Sequence, residues 1–137
     1  MKQKLFITFL ILATLCINSL SAKKVTGYSS ISGQQTGFIT FAVNSIDYRS
    51  DLTRVYGRLV GRPHTSERID ELLIVTPAGK SYKCTDIEGV DFKRWFQWED
   101  DGAIEVELDF PAMKPLNRFT IKSTGPKGDS HSIIKKK

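Results

Sequence analysis

Between Ala103 and Phe110 the chain alternates: Ile104, Val106, Leu108 and Phe110 are apolar, while Glu105, Glu107 and Asp109 between them are charged. A period of two puts one set on each face of a pleated strand, apolar side chains inward and carboxylates in water. Just before this run, Phe92, Trp95, Phe96 and Trp98 crowd an aromatic segment. Glu99-Asp100-Asp101-Gly102 separates the two, and acidic residues ending in Gly are turn chemistry. The pattern over Val90–Phe110 predicts a β-hairpin that supplies much of an aromatic core. Phe92, Phe96 and Trp98 share one phase and are expected to face that core, with Trp95 on the opposite side.

The rest of the chain divides the same way. Lys24–Ser32 is weakly β and predicts an edge strand. Thr36–Asp47 is apolar in both phases, as in a central strand or one that bends between sheets. Leu52–Val60 predicts a third strand, with Gly57 marking a bulge or a close backbone approach. Gly61–Glu67 is polar, contains Pro63, and reads as an exposed loop. Ile69–Thr76 and Lys80–Thr85 flank Pro77-Ala78-Gly79, a strong hairpin signal. Asp86–Gly89 reads as a turn. Pro111–Pro115 is a crossover with no ladder capacity at either proline, and Asn117–Ser123 predicts the last strand. Gly125–Asp129 is expected to close the domain, leaving residues 126–137 as a flexible basic tail.

Seven or eight strands with unequal connections and no amphipathic helix predict an all-β, two-sheet antiparallel sandwich of immunoglobulin-like type; a small closed β-barrel is the alternative. The order of motifs supports the first. A hairpin with P-A-G-K-x-Y (Pro77–Tyr82) is followed by the aromatic segment, then D-G-x-I-x-V-x-L-x-F-P (Asp101–Pro111) and a closing F-x-I (Phe119–Ile121). Over Thr36–Ser123 this resembles small secreted bacterial immunoglobulin-like domains. The resemblance implies the fold and transfers no functional residue; the Cys-Trp-Cys core of antibody domains is absent.

The N-terminus changes the size and charge of the object. Met1–Lys4 is basic, Leu5–Ile17 is almost unbroken apolar, and Leu20 and Ala22 suit the positions before a cleavage site. Residues 1–22 are therefore expected to be a signal peptide, leaving a secreted or periplasmic chain of about 115 residues with no membrane span. Cys16 follows Leu15 rather than a small residue, which argues against a lipidated cysteine. Beyond Ala22 there are 18 basic and 15 acidic residues, five of the basic ones at Lys23, Lys24 and Lys135–Lys137. The folded body is slightly acidic, so nucleic acid is not an expected partner. Cys84 is then the one remaining cysteine; no internal disulfide can form, and a buried inert thiol is expected.

Candidate chemistry is sparse. His64 with Ser66, Glu67 and Asp70 has the residue types of a hydrolytic triad, but lacks a nucleophile elbow and a Gly-rich oxyanion element. Asp86, Glu88 and Asp91, or Glu99–Asp101, fit no calcium-loop spacing, and His64, His131 and Cys84 have no zinc spacing. No cofactor, metal or catalytic residue is expected. Recognition loops on rigid sandwiches point instead to a protein partner met by Arg62, His64, Glu67 and Trp95. The alternative is a cell-envelope glycan stacked on Tyr82, Trp95 and Trp98, with a hydrolase centred on His64 as a remote third reading.

Overall fold

The structure, a computed structural model, describes residues 22–31 and 33–137; the expected leader and Cys16 lie outside them. Among the described residues it is an all-β sandwich of twelve strands. In chain order these are β1 (Lys23–Thr26), β2 (Tyr28–Ser30), β3 (Thr40–Tyr48), β4 (Thr53–Val60), β5 (Ser66–Arg68) and β6 (Glu71–Val75). Then come β7 (Ser81–Lys83), β8 (Asp86–Glu88), β9 (Trp95–Gln97), β10 (Ala103–Phe110), β11 (Arg118–Gly125) and β12 (Gly128–Lys136). One sheet has the order β1-β3-β4-β10-β8, the other β2-β12-β11-β6-β7, and β5 pairs with β9 alone. All pairings are antiparallel. The series β3-β4-β10-β8 opposed to β12-β11-β6-β7 is the strand order of an immunoglobulin-like sandwich, extended on one side by β1 and β2. The barrel alternative fails because neither sheet closes on itself.

The alternating faces meet in one core. Val55 and Leu59 of β4 and Leu108 and Phe110 of β10 line one layer; Leu72, Ile74, Phe119, Ile121 and Ile134 line the other, all buried. The mixed phase of β3 has a local cause. A bulge between Val43 and Ser45 shifts the register, so that Phe41 and Val43 before it and Ile46 and Tyr48 after it all point inward. Gly57 lies opposite the bulge, and a Cβ there would fall 2.1 Å from the Ala42 carbonyl oxygen. That is the close approach the sequence indicated.

Both open sides of the sandwich are handled alike. β1 and β2 are one run of chain, turned at Gly27 (φ 85°), that starts on the first sheet and ends on the second. β7 and β8 do the same on the other side, with Cys84-Thr85 as the switch. Short edge strands of this kind leave little unpaired ladder for another chain to extend. Asp86–Glu88 is thus a strand on β10, not the expected turn. The Pro111–Pro115 crossover joins the two sheets as expected, and it is tied down at Leu116. The Leu116 carbonyl accepts from the Tyr28 hydroxyl (2.8 Å), and the Leu116 amide donates to the Tyr48 hydroxyl (3.1 Å).

Two further expectations are corrected. The aromatic segment does not form a hairpin with Ala103–Phe110: β10 pairs with β4 and β8, and β9 pairs with β5. β4 pairs along the whole of one edge of β10; on the other, β8 pairs with Glu107–Asp109 and Gly89 packs against the Glu105 carbonyl, while β9 is drawn to β5. Residues 126–137 are not a loose tail either. Pro126 and Lys127 form the tip of a hairpin between Gly125 and Gly128, and β12 pairs with β11 over eight residues. Ser130, Ser132 and Ile134 all point inward. The two serines are satisfied inside by amides of the chain entering β3: Phe38 and Ile39 donate to Ser130 Oγ, and Phe41 donates to Ser132 Oγ.

A buried Ile134 makes this correction testable. Ile134→Ala is expected to lower unfolding stability by about 2–5 kcal/mol in urea melts, the usual cost of emptying a core isoleucine site. A change indistinguishable from zero would restore the loose tail.

Candidate functional site

The site is best built from Trp98. Its indole is fully buried and lies against Gly61, where a Cβ would fall 2.1 Å from the ring. Only a glycine backbone allows that contact. Phe96 packs edge-on to Trp98, with ring centroids 5.2 Å apart and planes at 85°. With Phe96 and Trp98 turned inward, strand alternation turns Trp95 outward, where it is 54% exposed. The pairing with β5 extends the same logic across the ladder. Glu67 sits opposite Phe96 and Arg68 opposite Trp95, so Glu67 points in and the Arg68 guanidinium lies 5.8 Å from the outward Trp95 ring.

An inward carboxylate needs a counter-charge, and it comes from the β11–β12 hairpin tip. Lys127 Nζ lies 3.3 Å from Glu67 Oε2 and donates to the Ser66 carbonyl. From there the ammonium is 6.0 Å from the Trp95 ring centroid and 5.9 Å from that of Phe38. Phe38 is 61% exposed, with its amide held by Ser130. Three chain segments distant in sequence thus place two exposed aromatic rings around one lysine. Arg68 is in turn gripped by Asp70 at 2.7 and 3.0 Å, and those hydrogen bonds hold the Asp70 carboxyl below the usual carboxylate range.

The residues singled out from sequence separate into two groups. Trp95 is on this patch, and Arg62 and His64 are exposed on the neighbouring loop. That loop is not free: His64 N donates to the Trp98 carbonyl and Trp98 N to that of Thr65, each at 2.9 Å. His64 adopts a left-handed backbone (φ 65°) and its Nε2 is 2.9 Å from Asp100 Oδ1. Glu67 is corrected: at 4% exposure it is not a surface contact but the buried anchor of Lys127. The glycan platform of Tyr82, Trp95 and Trp98 is corrected as well, because Trp98 has no free face and Tyr82 is half-buried on edge strand β7 under Lys80. The hydrolytic grouping does not assemble, since His64 takes Asp100, Glu67 takes Lys127 and Asp70 takes Arg68. Phe38 and Lys127 were missed. Both lie in segments read as a strand end and a tail, and only the fold brings them together.

Elsewhere, a hollow of about 290 Å³ on the outer face of the first sheet is lined by Tyr56, Gly57, Glu88, Gly89, Glu105 and Glu107. Another of about 360 Å³ lies beside Asp70, Lys83, Phe92 and Lys93. Neither takes in any of the residues proposed for binding. Among the described residues no group of three or more His, Cys, Asp or Glu side chains is placed to hold a metal ion, and no helix is long and apolar enough to cross a membrane.

An all-β sandwich with an aromatic patch set around a lysine is what the fold and the geometry define. No protein-family model matches the chain, and no curated protein and no solved structure matches it.

Cys84 is buried, with its Sγ 3.1 Å from the Asp86 carbonyl oxygen. Burial pushes the thiol up from 9.0 to about 12. Burial likewise raises the Tyr28 and Tyr48 phenols. Because the folded state holds these protons more tightly, the Cys84 contribution is complete below pH 9 and is lost as pH climbs toward 12, while that of the two phenols is complete below pH 10 and is lost above it. Urea-melt stability is therefore expected to fall over that range, less steeply in Cys84→Ala. The native thiol is expected to resist alkylation at neutral pH. Rapid alkylation of the folded protein would contradict its burial.

Proposed function

We propose that this chain is an exported β-sandwich domain that acts by surface recognition of a protein partner, through the patch formed by Phe38, Trp95, Lys127 and Arg68. One observation carries it: two exposed rings from separate segments converge on a single ammonium held in place by a buried carboxylate. Leaving a large ring in water forgoes about 1.5–3 kcal/mol of burial for each side chain. That is recovered when a partner covers them. Trp and Arg are also the residue types that dominate binding energy at protein interfaces.

The support is structural rigidity as well as composition. The backbone is held at each position, at Phe38 by its amide bond to Ser130 Oγ and at Trp95 by the pairing of β9 with β5, and the Lys127 ammonium is held by Glu67 and the Ser66 carbonyl. A surface built on a held backbone loses less freedom on binding. The exposed His64–Asp100 pair lies beside this strand and would form the rim of the same interface.

The test is a double change, Phe38→Ala with Trp95→Ala, on the immobilised chain challenged with the exported fraction of its source cell. Retention of a protein by the parent chain and a drop of about tenfold or more in the variant is expected. The melting temperature should stay nearly unchanged, because both rings are outside the core. Undiminished retention would place recognition elsewhere.

A further inference from the structure

We infer that the partner segment received by this patch is acidic: a stretch of protein carrying an Asp or Glu next to an aromatic or aliphatic side chain. The inference rests on the recognition role proposed above and adds the chemistry of what is recognised. It comes from how the charges around the rings are layered. Lys127 keeps 42% of its side chain in contact with solvent, while its partner Glu67 keeps 6%. The carboxylate therefore lies beneath the ammonium, and an approaching molecule meets the cation first. Arg68 flanks the same Trp95 ring at 5.8 Å. Its guanidinium pairs with Asp70 just past the strand, and Lys93 adds a further positive charge near that aspartate.

The geometry gives each part of such a segment a place. Lys127 Nζ commits donors to the Ser66 carbonyl and to Glu67 Oε2. An ammonium has three donors, so one remains for an incoming carboxylate. Phe38 and Trp95 both have ring centroids within 6.0 Å of that ammonium, and would cover an apolar side chain next to the acid. Contact with the rings excludes water from the ion pair and strengthens it. A neutral sugar would use the arrangement poorly, because Arg68 and Lys127 already lie within 6.0 Å of the Trp95 ring centroid. A basic segment would be repelled.

The probe is a displayed library of random twelve-residue peptides, selected on the chain expressed with its complete sequence. Selected peptides are expected to be enriched in Asp or Glu within two positions of an aromatic or aliphatic residue. Their binding should weaken as salt is raised from about 50 mM to about 500 mM. Changing Glu67→Gln together with Lys127→Gln removes the cation without leaving a buried carboxylate unpaired. This pair should weaken the selected peptides about tenfold, in line with the loss of one charge-assisted hydrogen bond. Three results would overturn the inference: no enrichment, enrichment in neutral or basic peptides, or preference for an acidic polysaccharide such as a polyuronate over the acidic peptides. If Trp95→Ala abolishes binding while the double glutamine variant binds normally, the recognition surface stands and its acidic partner does not. If neither variant changes binding, both fail.

Discussion

The inward direction of the Trp98 ring is the constraint from which the rest of the candidate surface follows. The indole is accommodated against Gly61, where no larger residue fits. Once it is inside, the pleat of β9 sends Phe96 in and Trp95 out, and the register with β5 sends Glu67 in and Arg68 out. A carboxylate buried at that depth without a partner is costly. Lys127 supplies it, and in doing so brings the β11–β12 tip against the Trp95 ring. A packing preference at one aromatic is thereby converted into the position of a cation close to two exposed rings.

Much of the fold was legible because its signals are local. The alternation of Ile104 to Phe110 gave β10, Pro77-Ala78-Gly79 gave the β6–β7 hairpin, and the two prolines of Pro111–Pro115 gave the crossover. Gly57 flagged its close approach without any knowledge of the neighbour it meets. Pairing partners are a different matter, since they depend on which edge is vacant. The aromatic segment was adjacent to β10 in sequence, yet β10 pairs with β4 along its length and with β8 over Glu107–Asp109. β12 escaped notice because two of its three inward residues after Asp129 are serines. They read as polar until the amides of Phe38, Ile39 and Phe41 are seen to bind them.

The candidate site was legible only in part, and for the same reason. That Trp95 faces away from Phe96 and Trp98 is a matter of phase and could be read from the chain. That Glu67 is buried could not: a lone carboxylate in a polar stretch carries no mark of the strand it will join. Phe38 and Lys127 belong to the patch solely through the folding of β3 and β12 onto each other's ends. The outer face of the first sheet shows the contrasting case. Asp86 and Glu88 stand opposite Asp109 and Glu107, with Arg54 gripping Asp109 at 2.7 and 3.0 Å. There the alternation alone placed Glu105, Glu107 and Asp109 on the face away from the core, and they lie there, Asp109 beneath Arg54. The folded body thus carries a carboxylate-rich sheet face and, on other strands, a patch in which the Lys127 ammonium lies outside its carboxylate.

The chain has two tryptophans, so their opposite orientations can be read from fluorescence. With Trp95→Phe, the remaining emission from Trp98 should be blue-shifted and nearly insensitive to acrylamide. The parent chain should show an additional red-shifted, readily quenched component. If the Trp95→Phe protein, still folded, keeps a red-shifted emission that acrylamide quenches freely, Trp98 is not inside. The outward Trp95, the inward Glu67 and the placement of Lys127 would then lose their common cause.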